Sequence, residues 1–192
     1  MSRSHSPILW FRDDPVPGFV ADPSIIVGGT SLLREFFAFA ADQRGVAELS
    51  LAVPFVGLGV VDADIQIWDS IDHRNVELRV VVRRREDAQH AASQLCRFRW
   101  RSIQIGVARR LHAKLYAFQA RNGAAAALIG SHNLSGSGRK ANFEAGTLMI
   151  GHRPGSLPIV ADINDTIRNA LRDSLLVVDA TNGASLLSST RN

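Results

Sequence analysis

The chain has 192 residues, enough for one domain with a sizeable core. Its 46% hydrophobic and 21% charged content is that of a globular protein, and no apolar run reaches the roughly 20 residues of a membrane span. Cys96 is the single cysteine, which excludes an intrachain disulfide and a cysteine metal cage. The opening "MSRSHSPILWFRDDP" lacks the basic-then-apolar pattern of a signal peptide, so a reducing cytoplasm is the expected compartment.

Residues 1–24 carry four prolines and read as an N-terminal arm, followed by a single domain over 25–192. "PSIIVGG" (23–29) reads as a buried strand entering a glycine turn. "TSLLREFFAFAADQRG" (30–45) is a predicted helix. Thr30 or Ser31 caps it, Leu32, Leu33, Phe36, Phe37 and Ala40 form its apolar stripe, and Gly45 ends it. "VAELSLAVPFV" (46–56) is a strand whose end Pro54 marks. A helix over 61–74, a strand over 76–83, a helix over 85–98 and a strand over 101–107 follow. Three closely spaced strands come next, at 111–119, 124–131 and 142–150. A loop over 133–141 separates the last two. An amphipathic helix over 157–173 carries Ile159, Val160, Ile163, Ile167 and Leu171 at helical spacing, and the tail adds one short strand. Alternating strands and helices, then clustered strands, predict an α/β fold: a mixed sheet with helices on both faces.

Charge is unevenly spread. Nine arginines fall between Arg79 and Arg110 against two acids, Glu86 and Asp87. Arg83, Arg84 and Arg85 are consecutive. Such a run is either a solvated face or a surface that tracks phosphates, and the sequence pI of about 10.2 favours a polyanionic partner. Lysine occurs only twice, as Lys114 and Lys140. A compact ammonium can approach a phosphate where a guanidinium fork does not fit.

The polar groups near the three clustered strands form the candidate site. In "LHAKLYAF" strand alternation puts His112 and Lys114 on one face, about 7 Å apart. In "ALIGSHNLSGSG" a hydrophobic strand ends in Gly130 and Ser131, then Asn133. Gly130 permits a sharp turn, while Ser131 and Asn133 offer donors to an anion. "NFEAGTLMI" places Glu144 among apolar neighbours, where a carboxylate needs a partner. His112 is a candidate for that partner, its tautomer fixed by the acid. Each piece alone is equally a half-exposed strand or an ordinary turn.

Together, His112-Ala113-Lys114, Gly130-Ser131-His132-Asn133 and Glu144 resemble the motif set of the phospholipase D superfamily, in its single-motif, nuclease-like branch. The resemblance spans roughly 25–173. The fuller family pattern has an Asp five residues after the Lys. Gln119 stands there, so the downstream Glu144 takes that role.

The resemblance implies a phospholipase D-like fold and a phosphodiesterase that uses two histidines, one as nucleophile through a phosphohistidine and one as acid. Lys114 and Asn133 hold the non-bridging oxygens, with Ser131 and the Gly130 turn assisting and Arg83, Arg84 and Arg85 binding substrate. One motif per chain then calls for a homodimer that pools two copies of His112. No carboxylate or Cys/His cluster has metal-site spacing, so neither a metal nor a cofactor is expected. A nuclease on DNA or RNA is the first reading. A lipid or small-phosphodiester hydrolase is the second, with no basic amphipathic helix to support membrane contact. A non-catalytic nucleic-acid-binding module is the third. The length leaves no separate sequence-reading domain, so target specificity is absent or comes from a partner protein.

Overall fold

The computed structural model describes residues 23–29, 31–43, 45–59, 61–62, 65–71, 73–135, 144–181 and 184–187. The expected arm over 1–24 lies outside them except for its last two residues.

Strands β1 (Ser24–Gly28), β2 (Val46–Ala52), β3 (Glu77–Val82), β4 (Ser102–Val107), β5 (Leu115–Ala120), β6 (Ala125–Gly130), β7 (Gly146–Gly151), β8 (Leu175–Thr181) and β9 (Ala184–Leu187) join in one sheet. The spatial order is β1-β7-β6-β5-β2-β3-β4-β8-β9. β2, β3 and β4 are parallel, and every other neighbouring pair is antiparallel. The fold is therefore α/β with a mixed sheet, as the element pattern predicts.

Alternation along the strands feeds two cores. In β2, Leu49 and Leu51 point to one side, where they pack with α1 (Leu32–Asp42) and α3 (Arg85–Leu95). Ala52 points to the other side, against α4 (Ile159–Arg172). The predicted stripe of α1 is its buried face, with Leu32, Leu33, Phe36, Phe37 and Ala40 all inside. Phe36 makes edge-to-face contacts with Phe37, Tyr116 and Phe118, arrangements worth about 0.5–1.5 kcal/mol beyond area burial. α4 buries Val160, Ile163, Ile167 and Leu171 with the predicted spacing, and Ile159 packs at the margin of the same core.

Several boundaries differ from the sequence reading. Ser31 makes no side-chain cap bond to α1, because its backbone is already in the helical region rather than the extended one a cap needs. The helix ends at Asp42, and Gly45 instead turns the chain into β2 at φ 78°. Among the described residues the predicted helix over 61–74 is broken into α2 (Ile65–Ser70) and a separate 3-10 turn over His73–Asn75. The tail forms two strands rather than one. β8 pairs antiparallel with β4 and extends the sheet.

The strand over 111–119 begins only at Leu115, whose partner is Ile129, and the strand over 142–150 begins only at Gly146. Both late starts bear on the site. They free the segments carrying His112, Lys114 and Glu144 from the sheet's hydrogen-bond ladder, so these groups project past its edge.

Candidate active site

Register places the candidate residues on one rim. Ala52, at the end of β2, pairs with Leu115 at the start of β5. Leu115 pairs with Ile129 near the end of β6, and Gly130 pairs with Gly146 at the start of β7. The segment of His112 and Lys114, the Gly130–Asn133 turn and Glu144 all gather beyond the carboxyl ends of β2, β3 and β4. That rim is where open α/β sheets present their ligand sites.

Hydrogen bonds hold the three pieces together. The Gly130 amide donates to the Lys114 carbonyl at 3.3 Å, and the Ser131 amide donates to the Ala145 carbonyl at 2.9 Å. The Ala145 amide returns a bond to Ser131 Oγ at 3.0 Å. Ser131 Oγ–H donates to the Glu144 carboxylate. Glu144 is 7% exposed, so this bond supports a buried charge. The acid lies two residues ahead of β7, not inside it, and its hydroxyl partner is Ser131 rather than the expected His112 imidazole. Ser131 and Glu144 stand 13 residues apart in sequence and meet through space.

The shared strand face proposed for His112 and Lys114 also needs correction. Both precede β5. His112 is exposed, Lys114 is half-buried, and the Lys114 ammonium donates to the His112 carbonyl at 3.4 Å. Tyr116 and Phe118, which an unbroken alternation would put on that same face, are fully buried in the α1-side core. The Tyr116 hydroxyl donates to the His132 carbonyl at 3.0 Å. Burial, and then the nearby Glu144 charge, hold its pKa well above the ordinary tyrosine value.

Gly130 serves a steric role. It is not among the glycines with positive φ. A Cβ there would lie 2.5 Å from the Ala145 carbonyl oxygen and 2.7 Å from the Gly146 Cα. Both are backbone atoms of the adjacent segment and cannot rotate away. Gly130→Ala is expected to cost about 1–3 kcal/mol, typical of overpacking, and to lower Tm by at least about 2 °C. Calorimetric unfolding checks this, and an unchanged Tm would mean that β6 and β7 separate without penalty.

Sequence reasoning missed the part played by His132. It is fully buried, and its Nε2–H donates to the Gly29 carbonyl at 2.9 Å. Its ring packs where Cβ atoms on Gly130 and Gly146 would sit. The histidine thus ties the Ser131–Asn133 turn to the end of β1. The two facing glycines are the only signal in the sequence, and they mean something only once β6 and β7 are known to pair. Asn133 is half-buried, and its Oδ1 is without a hydrogen-bond partner.

Arg83, Arg84 and Arg85 stand on the same rim, where β3 passes into α3. Arg84 Nε donates to Asp87 Oδ2 at 2.9 Å, and Asp87 Oδ1 accepts from the Val56 amide at 3.1 Å. The Arg83 and Arg84 guanidiniums sit 5.6 and 5.0 Å from the Phe55 ring centre. Among the described residues no group of three His, Cys, Asp or Glu side chains is placed to hold a metal ion. None of the described helices is long and apolar enough to cross a membrane.

A mixed sheet of this order, with its polar cluster on the carboxyl rim, is the phospholipase D-like fold. The chain is similar to Nuc from Salmonella typhimurium, a phospholipase D family member, with a TM-score of 0.53 at 14% identity over 83% of this chain and 99% of that one. NucT from Helicobacter pylori gives 0.56 at 10% identity, over 80% and 99%. Polyphosphate kinase from Porphyromonas gingivalis gives 0.51 at 17% identity, over 80% of this chain and 26% of the kinase. No protein-family model and no curated protein sequence matches the chain.

Proposed function

We propose that this protein is a metal-independent phosphodiesterase that cleaves DNA or RNA through a phosphohistidine, in a site shared by two subunits. The observation that carries this reading is the rim cluster itself. An exposed imidazole, an ammonium, a half-buried amide and a hydroxyl-bonded carboxylate meet on a phospholipase D-like fold. His112 attacks phosphorus, and the bond to the leaving oxygen breaks as a second histidine gives it a proton. That second imidazole then takes a proton from water, whose oxygen attacks the phosphohistidine and releases His112. Lys114 and Asn133 stabilise the charge on the non-bridging oxygens. Glu144 acts through Ser131, holding the turn that presents Asn133.

The need for a second chain rests on the other histidines. His132 is buried and bonded to Gly29. His90 Nδ1 is bonded to the Val56 carbonyl at 3.2 Å. His73 precedes β3 and His152 follows β7, which puts both at the opposite end of the sheet. Among the described histidines, His112 alone offers an exposed ring at the rim. A second copy of it, from a twofold-related subunit, is the source we assign to the acid.

Cleavage of plasmid DNA or of an RNA in excess EDTA tests the chemistry. Activity is expected to persist at the rate seen without chelator, because a lysine charge and an asparagine N–H donor from each chain stabilise the phosphoryl oxygens that a divalent ion stabilises elsewhere. A chelator-killed activity restored by magnesium would overturn the mechanism.

A further inference from the structure

Beside the motif cluster, Arg83, Arg84, Arg85 and Arg109 line a cavity of about 450 Å³ with Val107 and Leu175. We propose that it is a second phosphate subsite, which takes a neighbouring backbone phosphate of the nucleic-acid strand being cleaved. This deepens the phosphodiester reading above and rests on it. The subsite makes the substrate a polynucleotide rather than a lipid or a lone diester.

The charges are poised unequally. Arg84 is partly satisfied by Asp87 at 2.9 Å, with Glu86 at 4.0 Å. Arg85 has a contact of its own. Arg83 and Arg109 have no acceptor for their guanidiniums among the described residues. Phe55 lies under the Arg83 and Arg84 guanidiniums, which restricts their planes before any anion arrives. Planar forks held this way suit a phosphate better than free lysines would.

Position sets the substrate class. The segment over 108–114 leaves the end of β4 and crosses the rim to the start of β5. It carries Arg109 at the cavity and His112 and Lys114 at the cluster. Three residues span at most about 10 Å. With the arginine and histidine side chains added to that reach, neighbouring phosphates of one strand can occupy both places at once. A phospholipid with a single phosphate, or a monomeric diester, cannot fill both places.

The test compares two substrates in the intact protein. One is a fluorescein-labelled oligonucleotide of about twelve nucleotides, within the usual length of single-strand sites. The other is bis(p-nitrophenyl) phosphate, which has one diester. For Arg109→Gln, and independently Arg83→Gln, the ratio of kcat/KM between oligonucleotide and single diester is expected to fall about tenfold, mostly through KM. The log–log salt slope of oligonucleotide binding is expected to drop by about 0.7–0.9 per arginine removed. An unchanged ratio and slope, or equal losses on both substrates, would overturn the subsite. So would variants that lose binding to phosphatidylglycerol vesicles and keep oligonucleotide binding, an outcome that assigns the cavity to a membrane. If the wild-type protein turns over neither substrate, the phosphodiester reading fails. The salt slope of oligonucleotide binding still decides the subsite.

Discussion

Activity in mixtures of wild-type and His112→Ala chains, after full subunit exchange, is expected to fall as the square of the wild-type fraction. In an equal mixture about one quarter of the activity remains if both copies of His112 are needed, and about one half if each chain holds a complete site. The structure narrows the alternatives to the square law. His132 lies within the motif turn, but its Nε2–H is held by the Gly29 carbonyl and its ring is closed in by Gly130 and Gly146. Releasing it would break the tie between the turn and β1. His90 is engaged by Val56, in the loop after β2. A mixed dimer that uses water as the acid would lift the curve slightly above the square. A straight line, or full activity in a monomer isolated by size, would remove the shared site from the mechanism. His132→Gln in a wild-type His112 background separates the two roles further. A tether predicts a lower Tm with an unshifted pH–rate profile, whereas a catalytic acid predicts loss of one limb of that profile.

How far the sequence could be read follows from which forces were local. The helical stripe of α1 and the spacing in α4 are visible because burial on one face imposes a 3.6-residue period whatever the neighbours are. The candidate residues stand out by type and spacing, and their common rim follows from the strand order. Strand starts were not legible. In "LHAKLYAF" the alternation of polar and apolar residues runs past the point where pairing stops. Whether residue 112 or residue 115 opens the strand depends on how far Ile129 and Ala52 reach, and that is a property of β6 and β2. On sequence alone Gly130 reads as a turn glycine, because turns are the commonest reason for one. Its reason here is the approach of Ala145 and Gly146 from another strand. Chemistry alone pairs Glu144 with His112, and the structure gives it a hydrogen bond from Ser131. Each error has the same origin: a contact made across the sheet has no signature at either end of the chain segment that makes it.

Lys114→Ala is expected to lower turnover by on the order of 10²–10³, the usual cost of removing one preorganised charge contact from a transition state. Lys114→Arg is expected to leave most of that loss in place. The structure makes this a clean test, because the residue's structural contact is through its backbone. The Lys114 carbonyl accepts from the Gly130 amide at 3.3 Å, and that bond survives any side-chain change. The ammonium holds only the His112 carbonyl, at 3.4 Å, among the described residues. It is half-buried in a chain whose other cations are nearly all arginine. A guanidinium at this position would have to spread its fork between the His112 segment and the Gly130 turn, where an ammonium presents a point charge. If the arginine cavity is the phosphate subsite proposed above, KM for an oligonucleotide changes less than kcat, because Arg83 and Arg109 keep their ground-state contacts. Near wild-type kcat in either variant, with Tm unchanged, would return Lys114 to an ordinary surface lysine. A loss confined to KM would make it a binding residue with no part in the chemical step.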